Sequence, residues 1–163
     1  WNHGTVVDGC LSAGGHGNGG YMYIDWNGNV SPCVFVPFSP VNIKDVYAKG
    51  GNLTDIFNEP FFADLRKWQA DIKIQTNGKN LLNPCPIRDH NADLRQLIRK
   101  HEVEPLDLNA AEALQDANYA KGMDVYGEKY QKIVDTIWEK VYVQNSPLEA
   151  EDTEKLTELF AEK

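Results

Sequence analysis

The dipeptide Asn27-Gly28 lies between the aromatic run Tyr21-Met22-Tyr23-Ile24-Asp25-Trp26 and the apolar run from Val30 to Phe38, and no other feature restricts the fold as tightly. Asn-Gly favours the left-handed backbone of a two-residue hairpin turn, and runs rich in Tyr, Ile, Val and Phe favour a pleated surface. The sequence therefore predicts a β-hairpin. Pro32, Pro37 and Pro40 each lack a ladder donor, so the second strand is expected to be short or at a sheet edge. That strand carries Cys33, and a strand gives a side chain a fixed direction. Cys10 stands upstream and Cys85 downstream, which places three thiols around one hairpin and points to a metal site.

Around the hairpin the chain reads as loops and short helices. Leu11 to Gly20 is dense in glycine and predicts a loop. Ser39 to Asn52 is turn-like. Thr54 is a candidate cap for a short helix through Asn58, and Glu59-Pro60 opens another, because proline is tolerated at a first helical position. Phe61, Phe62, Leu65 and Trp68 then recur at helical spacing and form one apolar face. Asn83-Pro84-Cys85-Pro86 holds the third thiol in an extended loop. A helix through Asp93, Leu94, Leu97 and Ile98 is expected to end in Arg99-Lys100-His101. From Glu104 the composition changes: Asn109 is a candidate cap for Ala110 to Ala120. A further helix aligns Val125, Tyr126, Lys129, Ile133, Ile137 and Trp138, and Asn145-Ser146-Pro147 opens an acidic helix. The expected class is α+β, with a small hairpin-based cysteine module over residues 1–103 and a helical C-terminal appendage over residues 104–163.

At 163 residues the chain is long enough for one domain, or for a domain with a helical appendage. No apolar run approaches the roughly 20 residues of a membrane span. A net charge of −8 argues against a broad nucleic-acid surface, which needs clustered Lys and Arg. An odd count of three distant cysteines fits a secreted disulfide framework poorly, so a reducing, cytoplasmic compartment is expected. The first residue is Trp1 rather than methionine, which suggests a cut within a longer polypeptide.

Cysteine thiolates suit zinc and iron–sulfur clusters, and both kinds of site accept three cysteines plus another group. Candidates for the open position are His90 and Asp89 beside Cys85, and His16 and His3 near Cys10. His90 would complete a Cys₃His site, which zinc accepts readily. The bland alternatives are equally definite: cysteines buried as small apolar residues, and a polar cluster in which Asp89 orients the Arg88 guanidinium. Trp26, Phe35, Phe38, Phe61, Phe62 and Trp68 read as core. No Gly-x-Ser-x-Gly elbow, Gly-Lys-Ser/Thr phosphate loop or His-Glu-x-x-His helix occurs.

The run Tyr23-Ile24-Asp25-Trp26-Asn27-Gly28-Asn29-Val30-Ser31-Pro32-Cys33, with Cys10 before it and Asn42-Ile43 and Leu53-Thr54-Asp55-Ile56-Phe57-Asn58 after it, resembles the SPASM or twitch extension of radical S-adenosylmethionine enzymes. In that family a cysteine, then a glycine, four residues and a second cysteine on a hairpin hold an auxiliary 4Fe-4S cluster with cysteines that follow a helix. Gly28 to Cys33 has that spacing, and Phe61-Phe62-Ala63-Asp64-Leu65-Arg66 resembles the helix. The resemblance covers about residues 8 to 90. It implies Cys10, Cys33 and Cys85 as cluster ligands, with a non-cysteine group or an open iron at the fourth position. Only Cys85 stands where the family usually has closely spaced cysteines. No Cys-x-x-x-Cys-x-x-Cys occurs, so the resemblance further implies that this chain does not cleave S-adenosylmethionine alone. It would cap the active site of a barrel lying upstream, in the same polypeptide, and serve substrate binding or electron transfer. The glycine-rich loop would supply amides to the cluster sulfurs, and zinc in a stand-alone structural or interaction domain is the competing reading.

Overall fold

A computed structural model describes residues 10, 13–15, 20–75 and 80–161. His3, Asp8 and His16 lie outside the described residues. Strands come first and helices follow, which makes the fold α+β. The elements are β1 (Tyr23–Ile24), β2 (Asn29–Ser31), β3 (Phe38–Ser39), β4 (Val41–Asn42), α1 (Ile43–Ala48), α2 (Leu53–Phe57), α3 (Pro60–Gln75), α4 (Asn91–Lys100), β5 (Glu104–Pro105), α5 (Leu108–Gln115), α6 (Ala117–Ile137) and α7 (Ala150–Ala161). A π-helical stretch, Trp138–Val143, continues α6.

The predicted hairpin is present, with a wider turn. Tyr23 pairs with Ser31 and Ile24 with Val30 in antiparallel register, and Asp25 closes the loop by exchanging backbone bonds with Asn29 and Gly28. The Asp25 carboxylate also accepts the Asn29 amide at 2.9 Å. The loop is therefore Trp26-Asn27-Gly28, and Gly28 takes the left-handed position with φ 90°. A Cβ at Gly28 would stand 2.9 Å from Asn42 Oδ1, so packing as well as backbone conformation selects glycine there.

The second strand is short, as the prolines require, but it is central rather than at an edge: β4 covers its far side through Asn29 opposite Asn42 and Val30 opposite Val41. Pro32 falls just beyond the last paired residue, where its missing donor removes no ladder bond. Ser39 Oγ accepts the Val30 amide at 2.9 Å and donates to Val41 O at 2.8 Å, which satisfies backbone groups between the two small sheets. β3 pairs with β5 to form the second sheet.

Ser39 to Asn52 is more ordered than a turn, because it holds β4 and then α1, capped by the Asn42 side chain on Lys44 N. Asn52, not Thr54, caps α2. Its Oδ1 accepts Thr54 N at 2.8 Å, and Asp55 Oδ2 returns a bond to Asn52 N at 2.7 Å, a reciprocal capping box.

The core joins the hairpin to the helices. Val30, Val36, Phe38, Ile56, Phe61, Phe62, Leu94, Ile98, Val103 and Ala110 form one buried cluster. Phe61 and Phe62 of α3 meet edge to face at 5.7 Å. Trp26 and Phe35, expected in the core, are 93% and 74% exposed. Trp26 sits at the hairpin tip, and Phe35 in a turn at the sheet margin.

The helix expected from Ala110 to Ala120 is two helices. Asp107 caps α5 through Ala110 N, and Asp116 leaves the helical conformation to cap α6 through Asn118 N and Tyr119 N. Short polar side chains that bond the backbone ahead of them outcompete helix continuation at both points. The C-terminal helices pack on the cysteine module: Arg95 of α4 makes two 2.9 Å bonds to the Asp124 carboxylate of α6. Among the described residues no helix is long and apolar enough to cross a membrane.

Candidate metal centre

Cys10, Cys33 and Cys85 come from three segments of the chain, each is half-buried and none forms a disulfide, and the thiols influence one another electrostatically. Each is held differently. Cys10 belongs to a segment laid across α3, whose buried Gln69 donates Nε2 to Ala13 O at 2.9 Å and to Cys10 O at 3.4 Å. Arg66, one turn earlier on α3, donates to Gly14 O at 3.0 Å. The Gly14 and Gly15 amides, which the sequence assigned to sulfurs, instead reach Tyr21 O at 2.8 and 3.1 Å.

Cys33 opens a tight turn closed by Val36 N on Cys33 O at 3.1 Å. Within that turn the amides of Phe35 and Val36 donate to the Cys33 sulfur. Cys85 repeats the device: the amides of Ile87 and Arg88 donate to its sulfur, and Asp89 N bonds Cys85 O at 2.9 Å. The same offsets, two and three residues after the cysteine, thus recur in two unrelated loops. Such donors stabilise a thiolate and a sulfur bound to metal.

The Cys85 turn is fixed by its own carboxylate. Asp89 Oδ2 accepts Cys85 N at 2.9 Å and Arg88 Nη2 at 2.9 Å, while Arg88 Nε donates to Asp89 Oδ1. Asp89 does orient Arg88, as one sequence alternative held. The guanidinium carbon lies 4.5 Å over the Tyr130 ring, and the Tyr130 hydroxyl donates to Leu82 O at 2.9 Å. α6 therefore braces the loop from outside. A Cβ at Gly127 of α6 would stand 2.9 Å from Asp89 O, which shows how closely the helix approaches.

The sulfurs act on one another. Cys10 hydrogen-bonds to Cys85, and the two thiols divide a proton unequally: Cys10 is pushed well above the ordinary thiol range, mainly by that bond and by burial. Cys85 is held down at about 6, chiefly by the same bond, with its two amides adding to it. The thiolate belongs on Cys85 because that sulfur has amide donors as well as the Cys10 thiol. Cys33 is pushed up by burial, against the pull of its two amides, and feels the charge of Cys85. Arg88 lowers Cys10 electrostatically.

His90 takes a different course. Its Nε2 lies 2.8 Å from Asn83 O, and its ring meets Trp68 edge to face at 5.3 Å. The bond to a carbonyl makes Nε2 the donor nitrogen. Among the described residues no group of three or more His, Cys, Asp and Glu side chains is arranged to hold a metal ion. What the three cysteines share is free thiols that influence one another, and Cys33 and Cys85 each have two amides of their own turn; that donor set fits a group held by thiolates.

Tyr21, Gln69 and Tyr130 belong to this site and were not singled out in the sequence. Tyr21 had a usable signal. It belongs to the aromatic run that leads into the hairpin, and its carbonyl accepts Gly14 N and Gly15 N of the segment that follows Cys10.

Comparison with known families agrees with the geometry. Residues 16–86 match the model of the SPASM iron-sulfur cluster-binding domain, a span that includes Cys33 and Cys85 and stops short of Cys10. No curated protein and no solved structure gives a significant match.

Proposed function

Starting from a SPASM-like region at residues 16–86, we propose that this chain is the auxiliary-cluster portion of a radical S-adenosylmethionine enzyme. Cys10, Cys33 and Cys85 hold a 4Fe-4S cluster as thiolates, and the fourth position falls to His90 through Nδ1. The bond from Nε2 to Asn83 O is the kind of outer contact that fixes a ligating imidazole. The observation that supports the reading is the mutual influence of the Cys10, Cys33 and Cys85 thiols, with Cys33 and Cys85 inside the family-matched span and each supplied with paired amides.

When bound, the cluster supplies one-electron redox capacity and an iron able to meet a substrate heteroatom. The chain's own part is to hold and tune it. Amides of Phe35, Val36, Ile87 and Arg88 offset thiolate charge, Arg88 adds a cation near Cys10 and Cys85, and Asp89 fixes the Cys85 turn. The barrel that cleaves S-adenosylmethionine is a separate part, placed upstream in the same polypeptide, and this module covers its active site. The free thiols and their proposed cargo suit a reducing, cytoplasmic setting.

Anaerobic reconstitution followed by an absorption spectrum and metal and sulfide analysis tests the reading. Broad charge-transfer absorption with iron and sulfide in equal numbers is expected. A colourless protein with one stoichiometric zinc would replace it with a structural zinc domain.

A further inference from the structure

We infer that Tyr21 is a positioning residue of the thiol site, its phenol O–H donating a hydrogen bond to a sulfur on the side that the cysteines leave uncovered; this rests on the cluster reading above. Two observations place it there. Its backbone is pinned between two of the ligand-bearing segments: Tyr21 bridges to Ala13, its carbonyl accepts Gly14 and Gly15 N, and Gly14 N also reaches Pro32 O at 3.3 Å. The phenol feels the charge of Cys10, Cys33 and Cys85, and no other tyrosine among the described residues with a resolved interaction is influenced by all of these thiols.

The chemistry follows from the position. Tyr21 is 40% exposed, so its side chain stands at the surface rather than within the core. Cys33 and Cys85 each receive two backbone amides from their own turns, whereas no such amide acts on Cys10 among the described residues. A phenol is the donor the fold offers in that direction. A hydrogen bond to a cluster sulfur stabilises the reduced, more negative state and raises the reduction potential.

The test compares the reconstituted full chain with its Tyr21→Phe variant, which keeps the ring and loses the hydroxyl. Iron and sulfide are counted first, then the potential is measured by dithionite titration, and the exchangeable protons of the reduced sample are recorded by electron–nuclear double resonance in H₂O and D₂O. Equal iron and sulfide, a more negative potential and loss of one exchangeable proton coupling in Tyr21→Phe support the assignment. Unchanged potential and couplings with intact iron and sulfide overturn it while leaving the cluster reading in place. Tyr21→Phe that keeps its circular dichroism but loses iron makes Tyr21 a ligand and overturns the hydrogen-bond role. Wild-type chain that takes up no iron and sulfide overturns the cluster reading, and this assignment with it.

Discussion

Two glycines of α6 give the sharpest test of how the C-terminal helices meet the cysteine module. In a helix interior alanine is favoured over glycine by about 1 kcal/mol. Gly122 has nothing within 4 Å of the place a Cβ would occupy, so Gly122→Ala should gain that amount in full. Gly127 differs. Its Cβ would stand 2.9 Å from the Asp89 carbonyl oxygen, and that oxygen belongs to the turn that orients Cys85. Carbon–oxygen contacts begin at about 3.3 Å, so helix and turn must separate by about 0.4 Å. Overpacking of this kind costs about 1–3 kcal/mol, which cancels or outweighs the helical gain. Gly127→Ala should therefore lie about 1–3 kcal/mol below Gly122→Ala. At about 2–4 °C per kcal/mol for a chain of this size, their melting temperatures should differ by about 2–12 °C. Urea denaturation of both variants and wild type, fitted with a common m-value, gives the free energies. Equal stabilisation by the two substitutions would mean that α6 does not pack on the Asp89 turn as described.

Other outcomes follow from the same structure. In metal-free protein, Cys85 should be alkylated by iodoacetamide faster than Cys10 or Cys33, with a rate that falls as pH drops through about 6. Because its folded value lies below the ordinary thiol range, the stabilisation from the Cys85 thiolate is present above that range and is lost as pH falls toward 6. Cys10→Ala removes the main cause and should move the alkylation profile to higher pH, as read by mass spectrometry across a pH series. Phe62→Ala empties a fully buried position and should cost about 3–5 kcal/mol in chemical denaturation. His90→Ala in reconstituted protein should alter the electron paramagnetic resonance signal of the reduced cluster while iron content changes little; an identical spectrum would remove His90 from the ligand set.

Much of this architecture was legible in the sequence because it rests on local rules. Asn27-Gly28 fixed the hairpin, Pro60 opened α3, and the spacing of Phe61, Phe62 and Leu65 gave the face that is now fully buried. The failures share a cause: competition between residues that local rules rank almost equally. Asn52 captured the cap expected of Thr54 because Asp55 could return a bond to it. Asp116 broke a continuous helical pattern because its carboxylate accepts the Asn118 and Tyr119 amides ahead of it. Trp26 and Phe35 look like core by composition, but one occupies a hairpin loop and the other a turn whose amide is committed to Cys33. At the site, the cysteines were visible as residue types. The amides of Phe35, Val36, Ile87 and Arg88 were not, since any residue carries an amide and only the turn aims it. Tyr21 and Tyr130 reach the site through the bridge to Ala13 and through helix packing, 12 and 45 residues of sequence from Cys33 and Cys85 respectively.

The central claim is that Cys10, Cys33 and Cys85 serve one cluster. Iron and acid-labile sulfide, counted per chain after anaerobic reconstitution of wild type and of Cys10→Ala, Cys33→Ala and Cys85→Ala, test it most directly. Equal iron and sulfide in wild type, with a substantial loss of both in every variant, is the predicted result. Full wild-type iron and sulfide in any one of the variants would show that its cysteine is no ligand and contradict the shared site.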